Sequence, residues 1–410
     1  MRNQPSERVR KPCNRFGNRK ILYQNFSRKW STSWKAAFFM IIFIAGCTQV
    51  KDIQEVRPGI YATNEIQLLP LPLSGYTVYV VGEDHGTREI HLLTLEYLKM
   101  LNKANGLRDI ILEEPQGYEE MFSDYIQGTN EHILEIPGMD SYAPALLDGI
   151  RAFNETLPED EKIRVHLVDV DSPLSAVHLH LQRLQHEIDV GATVPPFEEF
   201  EKLSNADALH LVENLEEKTE DPSLKEELET VESSLNFYFT GSEIGIGAAS
   251  TTLTLEGCRI REERITQNIT ILLHKLDGAP VLAKCGSWHA QKHQSMSSYT
   301  QVRPWAHQLT ERGINIFALY AVGMSGYVWH SSLGEISYHK DLYRIHFDDG
   351  TRLGTIIERG SDYSIFYVDL RLDANKSARL GYNFADTPAG TVYDSIIVFR
   401  EVTPLVQEGH

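Results

Sequence analysis

Apolar positions along the chain fall into two rhythms. Six short β-rich runs, Tyr76–Val81, Asp109–Leu112, Arg164–Val170, Pro280–Cys285, Ile314–Tyr320 and Ser395–Arg400, predict strands. Between them apolar residues recur at the 3.6-residue spacing of helices over 88–104, 144–154, 173–190, 197–217, 223–239, 256–276 and 299–312. Strands separated by helices predict an α/β fold: a largely parallel central sheet flanked by helices, with a helical insertion around 172–250. The acid-dense run 213–232 reads as a solvated helical face. Residues 327–393 carry more Gly, Asp, Ser and Tyr with weak periodicity, and predict loops and short strands before the last core strand. Pro58-Gly59 and Pro70-Leu71-Pro72 are breakers, so 48–75 reads as a tether and lead-in.

The amino terminus follows neither rhythm. Residues 1–46 hold ten basic side chains and one acid, and Lys35 is followed by eleven apolar or small residues ending at Gly46. Eleven residues are too few for a hydrocarbon core of roughly 30 Å, and the order of basic stretch then short apolar stretch is that of a secretory signal peptide. Ile44-Ala45-Gly46-Cys47 resembles the bacterial lipobox, which implies Cys47 as the lipidated first residue of the mature chain. An uncleaved stub anchor is the alternative. The expected organisation is a signal peptide over 1–46, the lipidated Cys47 and tether over 47–75, and a single main domain over 76–410. The expected location is the bacterial cell envelope, with the membrane as a partner through the lipid anchor.

Composition narrows the function classes. With 410 residues, 42% of them hydrophobic, the chain has ample material for a core and is neither disordered nor a disulfide-stapled scaffold. Beyond Gly46 there remain 29 basic and 56 acidic residues, a net charge of −27, which repels nucleic acid; no nucleic-acid partner is expected. Of four cysteines, Cys258 and Cys285 stay in the mature domain, with no CxxC pair to hold a structural metal.

The chemistry gathers at the strand ends. The first predicted strand runs into Gly82-Glu83-Asp84-His85-Gly86, the second ends in Glu113-Glu114-Pro115, the third in Asp169-Val170-Asp171, and the fourth in Gly286-Ser287-Trp288-His289. If these strands are parallel, all four clusters emerge at one carboxyl edge, where open α/β sheets bind ligands. Carboxylates crowded with imidazoles shift one another's pKa toward the range acid–base chemistry needs. Single clusters of this kind also serve as turns or helix caps, and Asp84 or Thr87 suits the N-cap of the helix beginning near Arg88. On the 256–276 helix, Arg261 and Asn268 are two turns apart on one face, with Arg264 between them. Arg261 pointing into an acidic crevice can hold a substrate oxygen, or can instead be an ion pair fixing the helix to Glu83 or Glu113.

Together these segments resemble the erythromycin esterase-like and ChaN-like lipoprotein superfamily, related to the TraB and Tiki types. The resemblance is carried by Gly82–Gly86, by Ile111-Leu112-Glu113-Glu114-Pro115, by Gly286-Ser287-Trp288-His289-Ala290, by the helix Arg261–Asn268 and by the closing strand Tyr393–Pro404. Only Asp84 separates Glu83 from His85, where macrolide esterases place two residues; this spacing and the lipobox are closer to the ChaN-like branch. The resemblance implies a lipid-anchored hydrolase of esters or lactones. His85 would be the general base, oriented by Glu83 or Glu113, with His289 and Arg261 stabilising the oxyanion, and Asp84, Glu114, Asp171, Arg264 and Asn268 contacting the small-molecule substrate. No cofactor is required by the sequence, although Glu83, His85, Glu113 and His289 are ligand types a divalent metal accepts. The alternative is a non-enzymatic haem- or iron-binding lipoprotein of the ChaN type, with Tyr118, Tyr125 or Tyr142 as the axial residue. A third reading is a degenerate member that only binds a partner.

Other signals are weaker. His178 and His180 are two apart on a helix, point about 200° from each other and cannot chelate one metal; with His186 they read as solvated. Gly241, Gly245 and Gly247 complete no dinucleotide fingerprint, and no nucleophile elbow, zincin or Walker sequence is present.

Overall fold

The six apolar runs form six strands that lie side by side. The computed structural model describes residues 53–130, 144–188, 191, 194–240, 254–293, 302–330, 334–379 and 387–405. The basic leader with Cys47, Tyr142, the glycines at 241–247 and the start of the 299–312 run lie outside the described residues. The strands are β1 (Ile53–Arg57), β2 (Ile60–Thr63), β3 (Val78–Glu83), β4 (Asp109–Pro115), β5 (Arg164–Asp169), β6 (Val281–Gly286), β7 (Ile316–His330), β8 (Gly334–His339), β9 (Ile365–Asp369) and β10 (Ser395–Val402). One sheet runs in the order β1-β2-β9-β10-β7-β3-β6-β4-β5, with β8 paired to β7. From β10 through β5 all neighbours are parallel, whereas β9, β2, β1 and β8 join antiparallel.

Both faces of the parallel region are covered. The helices are α1 (Arg88–Asn105), α2 (Glu119–Gln127), α3 (Pro144–Asn154), α4 (Leu174–Glu187), α5 (Phe197–Phe200), α6 (Asn205–Glu216), α7 (Pro222–Thr240), α8 (Leu255–Lys275), α9 (Trp305–Glu311), α10 (Leu353–Arg359), α11 (Asp373–Lys376) and α12 (Ala389–Val392). Val78 and Val80 of β3 pack with Ile265 and Ile269 of α8 and Trp305 of α9. The alternate residues Tyr79 and Val81 pack with Leu93 and Leu98 of α1 and Leu147 of α3. The strands read as unbroken apolar runs because each alternate position has a core to enter. Among the described residues no helix is long and apolar enough to cross a membrane.

The expected helical insertion comprises α4–α7 and has its own core, in which Val177, Leu181 and Leu184 meet Val212, Leu215, Val231 and Leu235. The 197–217 run is two helices rather than one: Ser204 accepts a hydrogen bond from the Asp207 N–H (3.2 Å) and starts α6 afresh, a cap that apolar spacing does not reveal. His178 and His180 are buried, contrary to the solvated reading, and only His186 is exposed. The reason lies in distant partners. His178 Nε2 donates to the Pro195 carbonyl (2.8 Å), and His180 Nδ1 lies 2.7 Å from Asp171 Oδ2. Part of the expected tether is structure too. Pro58-Gly59 is the turn of the β1–β2 hairpin, which extends the sheet through β9.

Asn268 clamps the insertion to the sheet. Its amide donates to the Val168 carbonyl of β5 (3.0 Å) and its carbonyl oxygen accepts from Thr230 of α7 (3.1 Å). Asn268→Ala leaves the Val168 carbonyl without this donor, while the Thr230 hydroxyl keeps the Glu226 carbonyl (3.3 Å), so a loss of about 1–3 kcal/mol is expected for the one orphaned group. Denaturant unfolding checks it; an unchanged midpoint would show that the clamp carries no load.

Candidate active site

The ends of β3, β6, β4 and β5 are adjacent, so the four polar clusters do share one edge. The expected residues divide there into two groups. Glu83, His85, Glu113, Arg261 and His289 converge, with Asp169 and Glu262. Asp171, Arg264 and Asn268 do not join them. Asp171 is fully buried, accepting from the Gly117 N–H (2.6 Å) and pairing with His180; Arg264 donates to Ser233 of α7 (3.0 Å). All three hold the insertion in place.

Glu83 closes β3 and is buried. Its Oε1 receives both His85 Nδ1 at 3.0 Å and the Lys284 ammonium from β6. Burial alone would raise the Glu83 pKa, but Lys284, the His85 hydrogen bond and the nearby imidazoles outweigh it and hold the pKa at about 2. A carboxylate can only accept, so Nδ1 of His85 carries the proton and Nε2 is the nitrogen that can take up another. Desolvation opposes charging of His85, yet the hydrogen bond and charge of Glu83, with Glu113 behind, raise its pKa above the ordinary value. His91 of α1 faces Glu83 Oε2 at 3.9 Å, beyond hydrogen-bond reach, and burial drops its pKa to about 3, so it stays neutral.

Glu113, at the end of β4, is held from three sides. Oε1 receives Arg261 (2.6 Å) and His289 Nε2 (2.9 Å), and Oε2 accepts the Gly286 N–H (2.6 Å). Arg261 also donates through Nε to Asp169 Oδ1 at 2.9 Å, tying α8 to the ends of β4 and β5. The structural and functional readings of this arginine thus coincide, and about a fifth of its side chain remains exposed. His289 lies between Glu113 and Glu262, with Nδ1 2.6 Å from Glu262 Oε1; the other Glu262 oxygen accepts the Trp305 N–H (2.7 Å). Burial disfavours the charged ring, but these two carboxylates prevail and raise its pKa to about 10. His289 is therefore a fixed imidazolium near neutral pH, not a base.

Asp84 is not the helix cap, a position taken by Thr87. Its carboxylate accepts from Tyr338 (2.6 Å), Lys340 (3.0 Å) and Tyr320 (3.2 Å), which bind the β3–α1 turn to the β7–β8 hairpin. Two glycines make the geometry feasible. A Cβ on Gly82 would sit 2.6 Å from Ala290 Cβ, and one on Gly286 would sit 3.0 Å from His85 Nε2. The imidazole of His85 therefore lies directly over the end of β6. Lys284 escaped the sequence reading, although a lysine inside the apolar run Val281–Gly286 is itself a signal, because buried lysines are nearly always paired.

The donor set does not suit a divalent metal. Glu83 and Glu113 are already neutralised by Lys284, Arg261 and the His289 imidazolium, and among the described residues no group of three His, Cys, Asp or Glu side chains is placed to hold an ion.

No family model and no curated protein sequence matches the chain. Solved structures do. A succinoglycan biosynthesis protein superposes with a TM-score of 0.62 at 14% identity, over 87% of this chain and 97% of that one. A Bacillus cereus protein superposes at 0.60 and 14% identity, over 92% and 100%. The erythromycin esterase EreC, in an open conformation, superposes at 0.56 and 14% identity, over 84% and 95%. The chain has the erythromycin esterase-like fold. The cofacial haem-binding ChaN of Campylobacter jejuni reaches a TM-score of only 0.27 at 13% identity, over 60% and 81%, which carries no argument.

Two outcomes follow from this geometry. A folded pKa of about 10 for His289, above an unfolded value near 6.5, stabilises the fold fully below about pH 6.5, and that contribution is lost as pH rises through 10. The stability difference between the wild type and His289→Gln should therefore shrink from pH 6.5 to 10 in denaturant titrations; a constant difference would mean the ring is neutral. Gly286→Ala should push the His85 ring aside by a few tenths of an ångström with little change in melting temperature. An unmoved ring in a crystal structure of the variant would show that Gly286 does not set its seat.

Proposed function

We propose that the chain is a hydrolase of esters or lactones, with His85 as the base that activates water. The supporting observation is the Glu83–His85 pair: a buried carboxylate holds Nδ1–H, fixes the tautomer and turns Nε2 over the end of β6. Water deprotonated by Nε2 attacks the carbonyl carbon. The charge that develops on the carbonyl oxygen is met by fixed cations, and among Arg261, Lys284 and His289 the arginine has the most open side chain. His289 serves by bridging Glu113 and Glu262, so its role is positioning. EreC, an erythromycin esterase of the same fold, supports the choice of ester chemistry. The basic leader and Cys47 support a lipid-anchored protein of the bacterial envelope.

Two of the three candidate haem-ligating tyrosines have other partners. The Tyr118 hydroxyl is buried against Ser175 (3.1 Å), and the Tyr125 phenol is bonded to Asp148. A cavity of about 1080 Å³ nearby has a mixed wall, in which Glu119, His166, Arg183 and Glu227 alternate with Leu167, Leu179, Ile271 and Leu272, and neither tyrosine lines it.

A soluble chain beginning after Cys47, assayed on alkyl esters and lactones, should turn over, and His85→Ala should lose at least about 100-fold in kcat/KM. Only the neutral imidazole accepts a proton, so kcat/KM should rise with pH through a pKa above 6.5. Glu83→Gln removes the charge that raises this pKa, so the acid limb should move to lower pH as the rate falls. Full activity in His85→Ala, or an unmoved limb in Glu83→Gln, would overturn the assignment.

A further inference from the structure

We propose that Glu114 is the general acid of this site, protonating the alcohol oxygen as it leaves the acyl carbon. This rests on the hydrolase reading and completes it, since an alkoxide is a poor leaving group without a proton.

The geometry sets Glu114 apart from its neighbours. The pairing register of β4 with β5 slips between Leu112 and Pro115, so Glu113 and Glu114 are presented at an irregular strand end rather than on an even pleat. Glu113 is saturated by Arg261, His289 and the Gly286 N–H. Glu83 is held by His85 and Lys284, Asp169 by Arg261, Asp84 by Tyr320, Tyr338 and Lys340, and Glu262 by His289 and the Trp305 N–H. Glu114 alone of these carboxyls has no hydrogen-bond or ion-pair partner among the described residues, and it is only partly exposed. A carboxyl committed to a cation cannot give up a proton it does not carry, whereas an unpaired one can hold it.

The groups facing Glu114 agree. Burial and the negative charges of Glu113 and Asp169 favour its protonated form, while Lys284 and His85 favour ionisation; the balance raises its pKa to about 7. Burial, with the charge of Glu114 as a lesser cause, raises the Tyr118 pKa. Glu114 sits at the end of β4, the neighbour of β6, over whose end the His85 ring lies, so acid and base share one edge of the sheet. The step balances as follows. The water oxygen bonds to the acyl carbon and its proton passes to His85 Nε2. The carbon–alkoxy bond breaks, and the alkoxy oxygen takes the proton of Glu114. The imidazolium and the new carboxylate then return to their starting states by transferring one proton, directly or through water. The sum is ester plus water giving acid plus alcohol.

The test compares an alkyl ester with the p-nitrophenyl ester of the same acid, in the wild type and in Glu114→Gln, with Glu114→Asp as the conservative variant. A nitrophenolate leaves without a proton. Glu114→Gln should therefore lose about 100-fold or more on the alkyl ester and less than about threefold on the nitrophenyl ester. The descending limb of the wild-type alkyl-ester profile, near pH 7, should vanish in that variant, and Glu114→Asp should recover part of the alkyl-ester rate. Equal losses on both esters would show a structural role, and no loss on either would show no role; each overturns the proposal. A folded wild type that cleaves neither ester would overturn the hydrolase reading itself, and this proposal with it.

Discussion

Carboxylates delivered to one end of a parallel sheet repel one another, and this crevice depends on the cations that hold them there. Arg261 bridges Glu113 and Asp169, His289 is held as an imidazolium between Glu113 and Glu262, and Lys284 neutralises Glu83. Removing one partner from a buried pair of this kind typically costs about 3–5 kcal/mol, because the other charge is left in a poor solvent for it. The same ions therefore hold the fold and set the chemistry. The cations depress Glu83 and Glu113, those two carboxylates raise His85 against Lys284, and burial beside Glu113 and Asp169 raises Glu114.

The order of strands brings these ions together. β6 lies between β3 and β4, so Lys284 can reach Glu83, while the turn after β6 returns His289 toward Glu113. α8 supplies Arg261, Glu262 and Asn268 from one helix. The first two face the crevice, and the third fixes the insertion core to β5. Substitutions in the insertion are therefore connected to the site through α8 even where they touch no substrate.

The parallel half of the sheet was legible in the sequence because its strands are short, largely apolar runs, four of which end in a polar cluster. β1 and β2 were not, since they are only five and four residues long, and β2 is buried only because it pairs with the distant β9 while β1 pairs with β2. The long extension of β7 needs β8 beside it, and α2 is nine residues whose only fully buried side chains are Phe122 and Ile126. The candidate site shows the same limit. Spacing found Glu83, His85, Glu113, Arg261 and His289, but residue type does not give direction. Asp171, Arg264 and Asn268 are chemically similar to the crevice residues and face the insertion instead. Conversely Lys284 was hidden by the apolar run around it, and Glu114 was separated from its neighbour Glu113 only by which of them finds a cation.

The most direct measurement is hydrolysis of an alkyl ester in water enriched in heavy oxygen, followed by mass spectrometry of both products. Attack of base-activated water on the acyl carbon places the label in the acid and none in the alcohol, and His85→Ala should abolish the labelled product. Absence of cleavage by the folded wild type, or label in the alcohol, would contradict the hydrolytic site described above.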